Sequence, residues 1–245
     1  MFAVFTFLLG ISTGSFLNVL IDRLPKGQTI WGRSKCDGCK KTLTWYELIP
    51  VVSWIMQGAR CRRCHKPLSI QYPLVELATG LGFVFLSFSF SYSLTVLLSY
   101  CLLFSSLLVI FVADLKYQII PDIMLIIGGI GVIGLIGETG GIWENILAGS
   151  GAAVFFFFLW VITHGRGMGF GDVKLAFLLG FLLGYPFTVI ALYLAFLTGA
   201  VAGVILILVR KAGLKSKIAF GPFLILGTLI TIVWGEQIIS LWKGI

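Results

Sequence analysis

Residues 94–113, LTVLLSYCLLFSSLLVIFVA, contain no charged side chain and lead directly into Asp114-Leu-Lys-Tyr-Gln-Ile-Ile-Pro121-Asp122. At about 1.5 Å per helical residue, such a run crosses a hydrocarbon core about 30 Å thick. The rest of the chain repeats the pattern. Its residues are 58% hydrophobic and 11% charged, with a mean hydropathy of +1.04, a balance that excludes an ordinary water-soluble domain. Apolar stretches fall at 1–21, 73–92, 94–113, 120–137, 143–163, 171–185, 187–209 and 220–242. The expected fold is therefore all-α, a polytopic membrane helical bundle of about eight transmembrane helices. The first stretch lacks the basic start of a cleaved signal peptide and reads as a retained helix.

Charge orients this bundle. With the N-terminus outside, residues 22–72, 114–119, 164–170 and 210–219, together with Lys174, hold 17 of the 18 Lys and Arg, and only Lys243 is left outside. The opposite orientation breaks the positive-inside rule almost completely. The net charge of +8 is thus a topology signal that also attracts anionic membrane lipids, and no nucleic acid is needed to explain it.

The long polar segment 22–72 carries Cys36-x-x-Cys39 and Cys61-x-x-Cys64, the spacing of a four-cysteine zinc site. Lys35, Lys40, Lys41, Arg60, Arg62 and Arg63 flank the cysteines and favour the thiolate that binds metal. Two disulfides are the alternative, but the charge rule puts this loop in the reducing cytoplasm. His65 is a possible substitute for one sulfur. Four cysteines already close a tetrahedral Zn2+ site, and closed sites are structural. Cys101 reads as a packing residue.

Acidic groups at a membrane boundary are costly and mark function. Of the ten Asp and Glu, four fall there: Glu76, Asp114, Asp122 and Asp172. Asp114 and Asp122 are too far apart along the chain, with Pro121 between them, to pair locally. Asp122 follows a proline at a helix start, where a carboxylate complements the dipole, whereas Asp114 sits at a helix C-terminus, where it does not. The partner candidate is Asp172 of Gly169-Phe170-Gly171-Asp172. Its glycines, Gly169 and Gly171, permit unusual backbone conformations and let a second backbone approach. Two such carboxyls sharing one proton can activate water and polarise a scissile carbonyl. Spacing alone also allows helix-end charges beside Lys116, Arg166 or Lys174, or an ion pathway.

These motifs, with Gly14-Ser15-Phe16-Leu17-Asn18-Val19, Trp45-Tyr46-Glu47-Leu48-Ile49-Pro50, Tyr72-Pro73-Leu74-Val75-Glu76 and Phe220-Gly221-Pro222-Phe223, resemble the type IV prepilin peptidase family in order and over nearly the whole chain. The resemblance implies a bacterial inner-membrane, multi-pass enzyme acting on prepilin or pseudopilin precursors. It implies cleavage of a short basic leader after a glycine, then methylation of the new N-terminus from S-adenosylmethionine. It maps the catalytic aspartates to Asp114 and Asp172 and associates the zinc loop with methylation. The chain then divides into a first transmembrane helix (1–21), a cytoplasmic zinc-binding, zinc-ribbon-like loop (22–72) and a seven-helix membrane aspartyl peptidase region (73–245). Glu47 and Glu76 are the candidates near the methyl donor or the incoming amine, with an ion pair inside the basic loop as the alternative. Two departures from the family pattern are Gln71, where arginine is common, and His65, where glycine is usual. A transporter using the same acids, or a membrane-bound zinc-ribbon adaptor, are the rival classes, and no inverted repeat favours the first.

Overall fold

The structure, a computed structural model, describes residues 2–89, 93–139, 141–165, 167–209 and 219–243, without the side chains of 138, 139 and 241–243. Arg166 and most of the basic segment 210–219 lie outside the described residues, as do the side chains of Glu138 and Lys243. Secondary structure is helical apart from two isolated bridges in the polar loop. In chain order the helices are α1 (Phe2–Arg23), α2 (Val52–Met56), α3 (Gln71–Ser89), α4 (Leu94–Tyr117), α5 (Asp122–Thr139), α6 (Ile142–Ile162), α7 (Phe170–Leu183), α8 (Phe187–Leu208) and α9 (Gly221–Lys243).

By length and composition, six of these can cross a membrane: α1, α3, α4, α6, α8 and α9. The sequence expectation was about eight, and the difference lies in α5 and α7. Within the described residues α5 offers the apolar stretch Asp122–Gly137. Helix α7 has 14 residues, or about 21 Å. It is also apolar on every side, and the residues it buries include Val173, Leu175, Ala176, Leu178, Leu179 and Phe181. A helix of that kind is sheathed by other helices rather than by lipid.

The chain forms two compact units, Met1–Val109 and Ile110–Ile245. In the first, α1 packs along α3. Gly10 and Gly14 are one helical turn apart on α1, and a Cβ on either would lie 2.7 Å from the α3 backbone, at Gly80 Cα and Glu76 Cα respectively. This is the small-residue contact by which membrane helices gain dispersion energy without a hydrophobic driving force. In the second unit α7 is the centre, packed against α5, α6, α8 and α9. Gly149 of α6 and Gly180 of α7 meet back to back, so that a Cβ on Gly180 would come within 2.8 Å of Gly149 Cα.

Overpacking of this kind costs about 1–3 kcal/mol. We expect Gly180→Val to lower the thermal unfolding midpoint in detergent by a corresponding amount. Gly151→Ala, at a position with nothing within 4 Å of the added Cβ, should leave the midpoint unchanged.

Candidate functional site

Asp114 and Asp172 both belong to the second unit and line one cavity of about 420 Å3. Both are buried, at 5% and 6% exposure, and each is held by one backbone amide at a helix N-terminus. Asp114 lies on the last turn of α4, where the chain ends its helix by turning Gln118 to φ 54. Its Oδ2 accepts a hydrogen bond from the Gly221 amide at 3.0 Å. Gly221 is the first residue of α9, and the first amides of a helix have no partner within it. The dipole of α9 therefore compensates the charge that α4 alone disfavours. Asp172 caps its own helix: its Oδ2 accepts from the Gly169 amide at 3.0 Å, while the Asp172 amide donates to the Gly169 carbonyl at 3.1 Å.

Aromatic packing fixes the α9 end of this arrangement. Phe220 also lines the cavity, and its ring lies 5.1 Å from Phe196 and 5.9 Å from Phe156 between centroids. A Cβ on Gly221 would stand 2.7 Å from Asp114 Oδ2, so only glycine allows the carboxylate this close. Gly221 was quoted above only as part of a motif. Its position beside a proline at a helix start was the available signal, but its partner lies 107 residues away.

The two glycines before Asp172 act differently from each other. A Cβ on Gly171 would meet Ile120 Cβ at 3.0 Å, so this glycine admits the Ile119-Ile120 strap. Gly169 has φ −79 and ψ 153, an ordinary extended conformation, and no atom lies closer than 3.8 Å to its virtual Cβ. Neither uses a backbone state closed to other residues, and what approaches Gly171 is the Ile120 side chain rather than a second backbone.

Asp122 is set apart from this buried pair. Its side chain is 67% exposed and takes Lys174 Nζ at 2.8 Å. The ammonium therefore has a carboxylate partner other than Asp172, although Lys174 and Asp122 border the same cavity. Lys116 places its ammonium 5.1 Å from the Tyr117 ring centroid.

In the first unit, the sulfurs of Cys36, Cys39, Cys61 and Cys64 all lie within 4.8 Å of one another, with Cys36 Sγ and Cys64 Sγ 3.6 Å apart. Tetrahedral Zn–S bonds of about 2.3 Å require sulfurs about 3.8 Å apart, so the set fits a metal ion of that kind. Two copies of one turn build it. Lys40 N bonds Cys36 O at 2.9 Å and Cys36 N bonds Lys41 O at 3.0 Å; His65 N bonds Cys61 O at 2.9 Å and Cys61 N bonds Lys66 O at 3.0 Å. Each turn needs a left-handed residue after its second cysteine, Lys40 at φ 58 and His65 at φ 55. That requirement explains why glycine suits the position of His65, and His65 is not part of the sulfur cluster. Amides of Cys64 and Arg63 lower the Cys61 thiol to about 6. At Cys64 the Lys66 amide pulls downward, but burial and the neighbouring sulfurs push the thiol up to about 11.

Glu47 and Glu76 are not alike. One oxygen of Glu47 takes both Thr44 N, at 2.8 Å, and Thr44 Oγ1, at 2.7 Å, a capping box that starts the short 3-10 helix Trp45–Leu48. Those bonds to Thr44, with Arg63 and Arg62 nearby, hold its carboxyl below the usual range. Glu76 is buried on α3 and accepts from Val51 N at 2.7 Å. Val51 has φ 62 and ψ −52, and Val52 N bonds Pro50 O across it, a strained γ-turn that Glu76 holds in place. Gln71 donates to Asn18 Oδ1 at 3.3 Å, and Asn18 Nδ2 donates to Tyr72 O at 3.0 Å, which joins the α1 motif to the start of α3.

Sequence comparison adds three findings. Residues 8–90 match the profile of the bacterial peptidase A24 N-terminal domain, and residues 101–204 match that of the type IV leader peptidase family. A prepilin leader peptidase/N-methyltransferase of Pseudomonas aeruginosa is 32% identical over 97% of this chain and 92% of its own. Proteins of the same name from Bacillus subtilis and Myxococcus xanthus are 30% and 37% identical, over 96% and 89% of this chain and 96% and 67% of theirs. No solved structure matches.

The sulfur cluster makes a direct prediction. Purified protein should carry about one zinc per chain, and Cys36→Ser with Cys39→Ser should release it and unfold the loop, as metal analysis and limited proteolysis would read. Because protons compete for the thiolates, the affinity should fall as pH is lowered.

Proposed function

We propose that this chain, which belongs to the type IV leader peptidase family, cuts the short basic leader from prepilin-like precursors with Asp114 and Asp172 as an aspartyl pair. The observation that supports this most is the sharing of one cavity by two buried carboxyls, each held by a single helix-terminal amide and neither neutralised by Lys174. In this reading the ionised carboxylate takes a proton from water, and the water oxygen attacks the scissile carbonyl carbon. The protonated carboxyl hydrogen-bonds the carbonyl oxygen as negative charge develops there. Collapse of the tetrahedral species breaks the C–N bond and returns a proton to the leaving amine. The titration belongs to the pair rather than to either residue.

The curated relatives' name joins leader-peptide cleavage to N-methylation, and we extend both to this chain. S-adenosylmethionine would supply the methyl group; among the described residues no glycine-rich loop offers a cradle for its adenosine. Zn2+ on the four cysteines would order the loop rather than act in catalysis. Glu47 and Glu76 are the candidates near the methyl donor or the incoming amine, and each already accepts a backbone amide, from Thr44 and from Val51. The positive-inside rule puts the basic loop and the cavity mouth on the cytoplasmic side of the inner membrane, where a precursor's basic leader also lies. Helices α5 and α7 would bring the membrane helices to eight.

The test is cleavage of a prepilin by purified protein in detergent. Asp114→Ala and Asp172→Ala should each abolish cutting while the protein stays folded. Asp122→Ala, which removes an exposed ion pair worth about 0–1 kcal/mol, should retain it. Full cleavage by folded Asp172→Ala protein would reject the aspartyl mechanism. Replacing the glycine before the cut with a β-branched residue should block cleavage, because the substrate must leave the helical state there.

A further inference from the structure

The loop that carries the cysteines is polar in composition, yet one part of it exposes large apolar side chains. Trp45, Ile55 and Met56 are 77%, 64% and 70% exposed, and Tyr46, Leu48 and Val52 are also exposed. They are neighbours in space as well as in sequence, because the 3-10 helix Trp45–Leu48 packs against α2. Isolated exposed hydrophobic residues are ordinary, but a cluster this dense marks a surface that another phase or molecule covers.

Its position points to one occupant. The Val51 amide, at the hinge between the two short helices, donates to Glu76 Oε2, and Glu76 is the sixth residue of the apolar span α3. Five helical steps place Glu76 about 8 Å along that span, so the hinge lies at the depth of the headgroup layer. Both ends of the loop run into candidate spans, α1 and α3, which keeps the whole segment close to the bilayer. The surrounding charge is complementary to anionic headgroups. Arg33, Lys40, Lys41, Arg60, Arg62 and Arg63 are all exposed, and the Arg62 guanidinium lies 5.2 Å from the Tyr46 ring centroid, which ties the cationic surface to the apolar one. An aromatic and aliphatic face rimmed by Lys and Arg is the composition of segments that lie in a membrane interface.

We propose that residues 45–56 are an interfacial anchor that seats the metal-binding loop in the headgroup layer of an anionic bilayer. The anchor rests on α1 and α3 crossing the membrane and not on the peptidase reading, so its test reads no activity.

The experiment uses the full metal-loaded chain, one per nanodisc of anionic lipid, with a fluorescent amino acid incorporated at position 55 or 56, or at the exposed position 37 as reference. Quenching is measured with a water-soluble quencher and with lipids labelled shallowly in the acyl chain. The anchor requires positions 55 and 56 to be several-fold less accessible than 37 to the aqueous quencher and to be quenched from the lipid. Equal aqueous access at all three positions would overturn the proposal. Shielding without lipid quenching would also overturn it, since it would mean that protein covers the face. Shielding that appears only when two chains share a disc would overturn it in favour of contact between copies.

Discussion

Two helix N-termini, each lending one backbone amide to a buried carboxylate, are the interaction on which the second unit depends. A buried carboxylate without partners is costly, and the acid at the end of α4 begins with the further handicap of a helix C-terminus. The start of α9 supplies what α4 lacks, through Gly221, and the start of α7 supplies the same to Asp172 through Gly169. Several features follow from this. Gly221 must be glycine because a Cβ would strike the carboxylate. Phe220 must be wedged against Phe156 and Phe196 so that the amide stays aimed. Asp122 pairs with Lys174 at the border of the cavity, apart from the two buried carboxyls.

The same arrangement explains what was legible in the sequence. The cost of charge near a membrane singled out four of ten acids, of which Asp114 and Asp172 are buried beside one cavity, and the paired C-x-x-C spacing singled out four thiols that the fold gathers within 4.8 Å. The Gly221 amide on Asp114 was not legible, because nothing local links two residues so far apart in sequence. Glu47 has a local task, the Thr44 capping box, that does not bear on its expected place near the methyl donor. The short α7 exceeded what hydropathy can resolve, since a helix sheathed by protein and one facing lipid are equally apolar.

The first unit solves a different problem, ordering a polar loop that has little core of its own. The paired cysteine turns at one point, the Glu47 cap at a second and the Glu76 clamp on a strained turn at a third hold it. Two of these three ties are carboxylates spent on backbone amides, as in the second unit. Family membership covers both units, and among the described residues the four clustered cysteines lie in one and the carboxylate cavity in the other.

Binding of a non-cleavable substrate probes the aspartyl pair itself. A leader-junction peptide whose scissile bond is replaced by a hydroxyethylene group presents a tetrahedral hydroxyl to the cavity, and such mimics bind far more tightly than substrate only where the catalytic groups meet them. Tight binding to the intact protein is expected, lost equally in Asp114→Asn and Asp172→Asn but kept when Asp122 is changed to Asn. Unchanged affinity in both of the first two variants would contradict an aspartyl pair.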